Sequence, residues 1–562
     1  MVLVGLNLGC LAASGDPPGT SAAPLFQLHF TGSAHLAKGT NATKLSGVLG
    51  LPATAELRSY TWGKLAKAGI LWTKPMPAEA GDQSALLGPL LDDLVQAESY
   101  AEARGPVGQV EGVLAIELNQ ARAALWSTNL WRLTQAWKWG TPAEIASGTF
   151  RGWGLRRTGS PGLVQVVRAE NWLLVGVGGV RLELLPALAQ QISKSGRPVA
   201  SLNHAVLEAE ADFPRLGAWF PSFAKYRLPH SRMVVTGNGE GLRTEVRMRY
   251  ADGVPWTVQP WKIPTALIRD PLISFTVGQG IGPILGKMEV VQELGLKTLP
   301  DQFCLWGQGY ETAHTFLTVP MEDSSNVVQK LAPVLPRVME KHLTNAMGNI
   351  SWNSNKADLA WRELPFIAPH MRPVRSGQDE FVFAELFPLA PHPNPAPAEL
   401  MAQINGRKDL VYYDWELTQA RLSHAKQFYQ LFSIIMHRRG ISPTAPTEKW
   451  LAALTPYLGN TVTEVSKTSP NELTLVRKSY VGLTAFELVT LARWIDSPGF
   501  PFRFEAQPTF TRQVPSQRIT APKATLPKPT APNPIAPKTT LPKPTVPNPI
   551  APKATSPKPD KP

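Results

Sequence analysis

The chain has 562 residues, of which 43% are apolar and 18% are charged, so it can form more than one hydrophobic core. Its formal charge is +13, but residues 521–562 hold seven lysines and one aspartate, which leaves +7 for the other 520 residues. This small net positive charge does not favour a specific nucleic-acid-binding groove. The two cysteines, Cys10 and Cys304, are too few for a disulfide framework or a cysteine metal cluster.

The chain begins with the apolar run MVLVGLNLGCLAASG. Its apolar part, about 13 residues, has the length of a signal-peptide core and is too short to cross a bilayer. We therefore predict a signal-like leader at residues 1–23 and export to the periplasm or cell envelope. LNLGC is also similar to a bacterial lipobox with Cys10 as the lipidated residue, although Asn7 stands where that motif has an aliphatic residue. No later run reaches the length of a membrane span, so we predict none in the mature body.

The first predicted α+β half comprises residues 24–200. Its strand pattern GVLAIEL leads into the hexamer ELNQAR at 117–122. The helix pattern that follows has large apolar residues at helical spacing, which predicts its buried face. These residues are Trp126, Leu130, Leu133 and Trp137. Trp131 and Trp139 fall off this stripe. If exposed, they are candidate carbohydrate- or protein-binding residues, but burial in the core is the preferred interpretation.

A β-rich connecting region is predicted at residues 201–298. In SRMVVTGNGEGLRTEVRMRY, polar and apolar residues alternate after a Gly-Asn-Gly, which predicts a hairpin. Arg243, Arg247 and Arg249 share one face of its second strand with Glu245. Such a face is typical of the solvated side of an antiparallel sheet, and the alternative is an anion-binding surface. ISFTVGQGIGPILG predicts a further strand.

The second predicted α+β half, residues 299–512, begins with a hairpin in PDQFCLWGQGYETAHTFLTVP and a helix in SNVVQKLAPVLPRVMEKHL. It also contains ELTQAR at 416–421, which repeats five of the six letters of the first hexamer. Similar strand and helix patterns flank both copies in the same order, so we predict an internal duplication. Paired strands with intervening helices, without regular βαβ alternation, favour an α+β fold with antiparallel sheets and packed helices.

The one variable position of the hexamer is Asn119 in the first copy and Thr418 in the second. Both residue types are good N-caps, and both follow a strand pattern and precede a helix pattern. The hexamer therefore predicts a strand-to-helix junction at each site. The predicted pairs across the two bends are Glu117 with Arg122 and Glu416 with Arg421.

Asp414 and Glu416 are two residues apart on a predicted strand, so their carboxylates project from one face. A separation of roughly 7 Å at the backbone is close to the range found in inverting glycosidases. Tyr412, Tyr413 and Trp415 could form sugar platforms beside them. This pair is the candidate catalytic site of an alternative function, a carbohydrate-active hydrolase. The usual role of strand carboxylates is to face water or to pair with arginine.

Nucleotide and metal chemistry lack their signatures in this sequence. In the GVGG stretch from Gly176, Arg181 stands where the dinucleotide fingerprint has its third glycine, and the GQGIG stretch from Gly278 has the wrong spacing. The ten histidines form no HExxH motif, and no serine lies in a GxSxG elbow. We therefore expect no cofactor and no bound metal.

The C-terminal tail, predicted at residues 513–562, contains a 15-residue repeat that begins APKATLPKPTAPNPI. Frequent prolines remove backbone donors and fix φ, so the tail is expected to be disordered with polyproline II character. Its regularly spaced lysines suit an anionic envelope polymer or a protein partner, and the alternative is a solubilising linker. In composition alone the tail is similar to the Pro-Lys spacer of TonB.

Three stretches, at 261–281, 410–422 and 469–497, resemble a family of large bacterial proteins of unknown function that typically begin with a signal sequence. They read WKIPTALIRDPLISFTVGQGI, LVYYDWELTQARL and SPNELTLVRKSYVGLTAFELVTLARWIDS. The likeness covers most of the chain except the tail. It implies export and an α+β body, and it brings no activity to any residue here. Our preferred interpretation of the sequence is a non-catalytic binding or structural protein of the envelope, with the hydrolase as the alternative.

Overall fold

A computed structural model of the chain describes residues 23–501, apart from short internal segments. These are 70–82, 107–108, 148–149, 160–161, 180, 200–204, 218–225, 310–313, 344–345, 356, 388–393 and 437–441. Residues 1–22 of the predicted leader, including Cys10, and the whole predicted tail lie outside the described residues.

Twenty strands are present in the described residues. In chain order they are β1 (Phe26–Phe30), β2 (Ser99–Arg104), β3 (Glu111–Glu117), β4 (Ala143–Ser147), β5 (Phe150–Arg156), β6 (Leu163–Ala169), β7 (Trp172–Gly178), β8 (Ala205–Asp212), β9 (His230–Asn238), β10 (Gly241–Arg249), β11 (Leu272–Gln279), β12 (Gln302–Gln308), β13 (Thr315–Pro320), β14 (Asn349–Asn353), β15 (Asp358–Arg362), β16 (His370–Ser376), β17 (Asp379–Glu385), β18 (Leu410–Leu417), β19 (Asn460–Ser469) and β20 (Glu472–Ser479).

All the strands pair antiparallel in one continuous sheet. Its order is β4-β5-β6-β7-β3-β2-β1-β8-β9-β10-β20-β19-β18-β11-β12-β13-β17-β16-β15-β14. The central pairing of β10 with β20 joins strands from the two parts of the chain. With its helices, this sheet confirms the predicted α+β class.

The described residues also form fifteen α-helices. They are α1 (Ser33–Leu36), α2 (Thr43–Leu49), α3 (Pro52–Gly69), α4 (Ser84–Gln96), α5 (Gln120–Ala136), α6 (Leu184–Ser195), α7 (Phe213–Leu216), α8 (Gly282–Leu285), α9 (Glu289–Glu293), α10 (Ser324–Leu331), α11 (Leu335–His342), α12 (Ala398–Ala402), α13 (Thr418–Ile435), α14 (Pro446–Leu454) and α15 (Ala485–Asp496). A 3₁₀ turn, Thr455–Tyr457, follows α14.

Most of the long helices cover one side of the sheet, which we call the helix face. Leu114 and Ile116 of β3 pack there against Trp126 and Leu133 of α5. Around α13, α14 and α15 a second cluster forms, and it includes Leu57 of α3. Because α3 contributes to both clusters, it ties the helices of the two parts of the chain together.

The opposite side of the sheet is covered only towards its ends, and we call it the open face. Successive strand residues point to opposite sides, so Val113 and Ala115 of β3 pack there against α6, whose Ile192 is fully buried. Further along the sheet, Phe275 and Trp306 are fully buried in a cluster that includes α12. The strands between these two covers carry charged side chains.

The region predicted as a connector, residues 201–298, supplies the middle of the sheet. The predicted hairpin is confirmed as β9 and β10, and Gly239 in its turn has φ +57°. At one end of the region β8 pairs with β1, and at the other β11 pairs with β18 and β12. All described residues belong to one compact unit.

The predicted hairpin at the start of the second half is confirmed as β12 and β13. The predicted single helix after it is wrong, because the segment forms two short helices, α10 and α11. Pro333 lies between them and Pro336 lies in the first turn of α11. Proline lacks an amide donor and its ring clashes with the carbonyl four residues earlier, so one helix cannot continue through both positions.

Both copies of the hexamer lie at a strand-to-helix junction, as predicted. The side chain of Asn119 accepts a 2.9 Å hydrogen bond from the amide of Arg122 and caps α5. The predicted cap at Thr418 is wrong, because this residue is the first of α13 and its hydroxyl lies 2.7 Å from that of Thr461. The hydroxyl that was expected to bind the helix amides thus forms its hydrogen bond with a buried threonine on β19.

Strands beyond the two junctions occupy similar places in the sheet. The order β3-β7-β6 corresponds to β18-β19-β20, so the segments that share the VR letters lie two strands from the junction strand in each case. The chain enters them in opposite order, since β6 precedes β7 but β19 precedes β20. The internal duplication stays a prediction.

Candidate functional site

The predicted carboxylate pair lies on the helix face of β18, under α13 and α15. Asp414 is 8% exposed and Glu416 is 3% exposed. The hydroxyl of Thr276 donates a 2.6 Å hydrogen bond to Asp414, and the amide of Ala485 donates a 2.8 Å hydrogen bond to Glu416. Both carboxylates are therefore packed inside the molecule and bonded to its own polar groups.

Burial and, to a lesser extent, the nearby charge of Asp414 raise the pKa of Glu416 to about 7. Burial also raises the pKa of Asp414. The hydrolase alternative requires both carboxylates in an open cleft lined by aromatic rings. Here Tyr413 and Trp415 point to the other side of the sheet, into the cluster around Phe275. This geometry favours a structural role for the pair.

The predicted glutamate–arginine pairs across the junctions are not formed. Arg122 instead pairs with Asp93 of α4 at 2.7 Å, and Glu117 is exposed. Arg421 donates a hydrogen bond to the hydroxyl of Ser274 on β11. Each arginine lies in the first turn of its helix, and the helix directs it towards a neighbouring element rather than back to its own strand.

The positions of Trp131 and Trp139 favour the core interpretation over the binding one. Trp139 is 6% exposed and its ring lies 4.7 Å from that of Trp137. Trp131 is partly buried and makes an edge contact with Trp153. Because α5 ends at Ala136, the helical stripe does not apply to Trp139, which returns to the core in the following loop.

The arginines of β10 lie on the open face and are paired with carboxylates. Arg247 lies 3.0 Å and Arg243 3.6 Å from Glu245, while Arg249 lies 3.5 Å from Glu472 of β20. Arg247 and Arg249 are 65% and 70% exposed in their side chains. This arrangement corresponds to the solvated outer face of an antiparallel sheet.

An apolar groove, which the sequence reading missed, lies on the helix face between α11 and α13. Its cavity has a volume of about 430 Å³. One row of apolar side chains, joined by direct cross-strand pairing over β12, β13, β17, β16 and β15, forms the floor. This row is Leu305, Leu317, Ala384, Met371 and Leu359.

Helix side chains form the walls of this groove. Leu335 and Met339 of α11 lie on one side and Phe428 of α13 lies on the other. A second cavity of about 260 Å³ shares Phe428 and Leu386 with the first and is also lined by Phe366. Phe366 is 78% exposed and Phe428 is 45% exposed, so the rim presents aromatic rings to solvent.

The signal for this groove in the sequence was weak. Leu317 occupies an outward position of β13, where a polar residue is usual on a solvated strand face, and it is 38% exposed. One such residue is ordinary at a protein surface. Only the pairing of five strands places it beside Leu305 and Ala384.

Among the described residues, no group of three or more His, Cys, Asp or Glu side chains is placed to hold a metal ion. No helix in the same part of the chain is both long and apolar enough to cross a membrane. No protein-family model matches the chain, and comparisons with curated proteins and with solved structures give no match. A proposal for the function of this protein therefore depends on the geometry of the groove.

Proposed function

We propose that this chain is an exported, non-catalytic binding protein of the bacterial cell envelope and that the apolar groove is its ligand site. The observation that carries this proposal is a surface cavity of about 430 Å³ with a floor of apolar side chains and exposed aromatic rings at its rim. Ligand sites of this kind typically measure ~300–1,000 Å³ and are mostly apolar. A polar ligand would bury its polar groups against this floor without hydrogen-bond partners, which is costly.

The groove suits an elongated hydrocarbon, such as an acyl chain. The two cavities adjoin each other, because Phe428 and Leu386 line both, and together they extend the apolar surface beyond the first cavity. Burying each methylene of a chain contributes about 0.8 kcal/mol without any need for directional contacts. An apolar floor that spans five strands supplies such burial along its whole length.

The envelope setting is supported by the sequence. The apolar run at residues 1–15 suits a signal peptide, and the lysine repeat of the tail suits a tether to an anionic envelope polymer. The family resemblance of residues 261–281, 410–422 and 469–497 also implies export. In the cell envelope, membrane lipids are a nearby source of apolar ligands for such a site.

Calorimetric titration of the full chain with dodecanol, a neutral apolar chain, tests this function. Phe428→Asp places a charge on the groove wall and should weaken binding at least tenfold, because a carboxylate in an apolar contact is costly. Phe486→Asp is the matched control, since Phe486 is 72% exposed on α15 and does not line the groove.

Ala384→Phe gives a second test, since its ring would fill the floor from β17 and should also abolish binding. Both groove variants should keep the unfolding midpoint of the Phe486→Asp control to within a few degrees. Absence of dodecanol binding to the natural chain, or equal binding by all variants, would overturn the proposed function.

A further inference from the structure

Arg421 lines neither cavity, but it lies on the same side of α13 as Phe428, which lines both. The two residues are seven positions apart, which places them on one helix face about two turns, or ~10 Å, from each other. Phe428 forms the groove wall. A line along this face of α13 therefore runs from a guanidinium group to the aromatic rim.

The sheet beneath places Arg421 beside the groove floor. A Cβ added at Gly307 would lie 3.2 Å from Nη1 of Arg421. Gly307 pairs directly across the strands with Thr315, which lines the groove, and it is two residues from Leu305 on the same side of β12. The guanidinium therefore lies where the apolar floor begins.

The positive charge of Arg421 is not taken up by an ion pair within the described part of the chain. Its hydrogen-bond partner, the Ser274 hydroxyl, is neutral. By contrast, Arg122 at the matching position of the first hexamer pairs with Asp93, and Arg477 pairs with Glu487, both at 2.7 Å. An arginine that is partly buried normally has a carboxylate partner of this kind.

Two carboxylates near Arg421 face other groups. Asp414 accepts from Thr276 and Glu416 accepts from the Ala485 amide. Burial raises the pKa of both acids, and the positive charge of Arg421 opposes this rise. Both carboxylates attract Arg421 from farther away than the distance of an ion pair. The guanidinium therefore remains able to bind an anionic partner.

We infer that Arg421 binds the carboxylate head of an acyl-chain ligand whose hydrocarbon lies on the floor from Leu305 towards Leu359. The ligand class is then a fatty acid, an anionic amphiphile. This inference rests on the proposed function of the groove. The planar guanidinium can donate two parallel hydrogen bonds to a carboxylate, and such charge-assisted pairs are stronger than neutral ones.

The test compares three ligands with the same chain, namely dodecanoate, dodecanol and dodecylamine, by calorimetric titration of the full chain above the pKa of the acid. Dodecanoate should bind at least about tenfold more tightly than dodecanol, the difference expected for a hydrogen bond to a charged group. Dodecylamine should bind most weakly. Arg421→Gln should bring the affinity for dodecanoate down to that for dodecanol, while Arg421→Lys should keep part of the preference.

Arg375→Gln is the matched control, because Arg375 is 80% exposed on β16 and does not line the groove. Equal binding of dodecanoate and dodecanol to the natural chain would overturn the inference and leave the groove as an apolar site. Tightest binding of dodecylamine would also overturn it. Failure of all three ligands to bind would overturn the proposed function itself. If Arg421→Gln does not fold, the ranking of the three ligands on the natural chain still decides.

Discussion

The amide of Ala485 donates a 2.8 Å hydrogen bond to Oε1 of Glu416, and this contact ties the first turn of α15 to the middle of the sheet. Ala485 is fully buried and Glu416 is 3% exposed. The first amides of a helix have no partner within the helix, so a buried acceptor on β18 satisfies one of them. A residue that the sequence offered as a catalytic candidate thus anchors a helix.

Glu416 should make the stability of the protein depend on pH. Its pKa is about 7 in the folded protein against an ordinary 4.5, so the folded state binds this proton more tightly than the unfolded chain. The corresponding stability is fully present below pH 4.5 and is lost as the pH rises through 7. Relative to the natural chain, Glu416→Gln should gain on the order of 3 kcal/mol in free energy of unfolding between those limits.

Urea denaturation of both proteins at the two pH values measures this difference. Glu117→Gln is the matched control, because Glu117 holds the same place in the first hexamer and is exposed. A pH dependence of Glu416→Gln equal to that of the natural chain would show that another group binds the proton.

Arg493 of α15 holds a buried ion pair that should be costly to break. It is 4% exposed and its Nη2 lies 2.5 Å from Oε1 of Glu448 on α14. Arg493→Ala should lower the free energy of unfolding by about 3 kcal/mol, because it leaves a buried carboxylate with fewer partners. Lys449, the residue after Glu448, forms an exposed ion pair with Glu56. Lys449→Ala removes that pair and should lower the free energy of unfolding by less than about 1 kcal/mol. Equal losses in denaturant titrations of the two variants would contradict this assignment.

Asn119 should contribute to stability through its cap of α5. Asn119→Ala should cost about 1 kcal/mol, because the amide of Arg122 loses its acceptor, whereas Asn119→Asp should cost little. Chemical denaturation distinguishes the two variants. If Asn119→Asp lowers the free energy of unfolding as much as Asn119→Ala does, the contribution of this side chain does not come from the cap.

Gly152 on β5 should not tolerate a side chain. A Cβ there would lie 2.0 Å from the carbonyl oxygen of Val166 on the paired strand β6. Gly152→Ala should therefore cost about 2 kcal/mol or more, since backbone atoms must move. Gly63→Ala in α3 meets nothing within 4 Å and should instead stabilise the protein by up to about 1 kcal/mol. Thermal unfolding of both variants checks the opposite signs.

Deletion of residues 516–562 should leave the unfolding midpoint unchanged, because a tail with proline at this frequency is not expected to join a core. Binding of the full chain to isolated envelope material should weaken as salt rises, since screening shortens to about 8 Å near physiological ionic strength. The truncated chain should lack this salt-sensitive part. A lower midpoint after deletion would show that the tail belongs to the fold.

Much of the secondary structure could be predicted because it depends on local patterns. Alternation of polar and apolar residues around Gly239 was enough for the β9–β10 hairpin, and the stripe of Trp126 and Leu133 was enough for the buried side of α5. Both patterns are set by the period of a single strand or helix. The strand-to-helix junction at Asn119 follows from the same local rules.

Tertiary structure alone decided the burial of the carboxylate pair and the place of the groove. Asp414 and Glu416 share one strand face whether that face is solvated or covered, and the packing of α13 and α15 made it the covered one. Thr418 could cap a helix by its type, but β19 brought Thr461 to its hydroxyl. The floor of the groove joins Leu305, Leu317 and Leu359, which are ordinary apolar residues in separate strands. They become a site only through long-range strand pairing, and no local period of the sequence encodes that pairing.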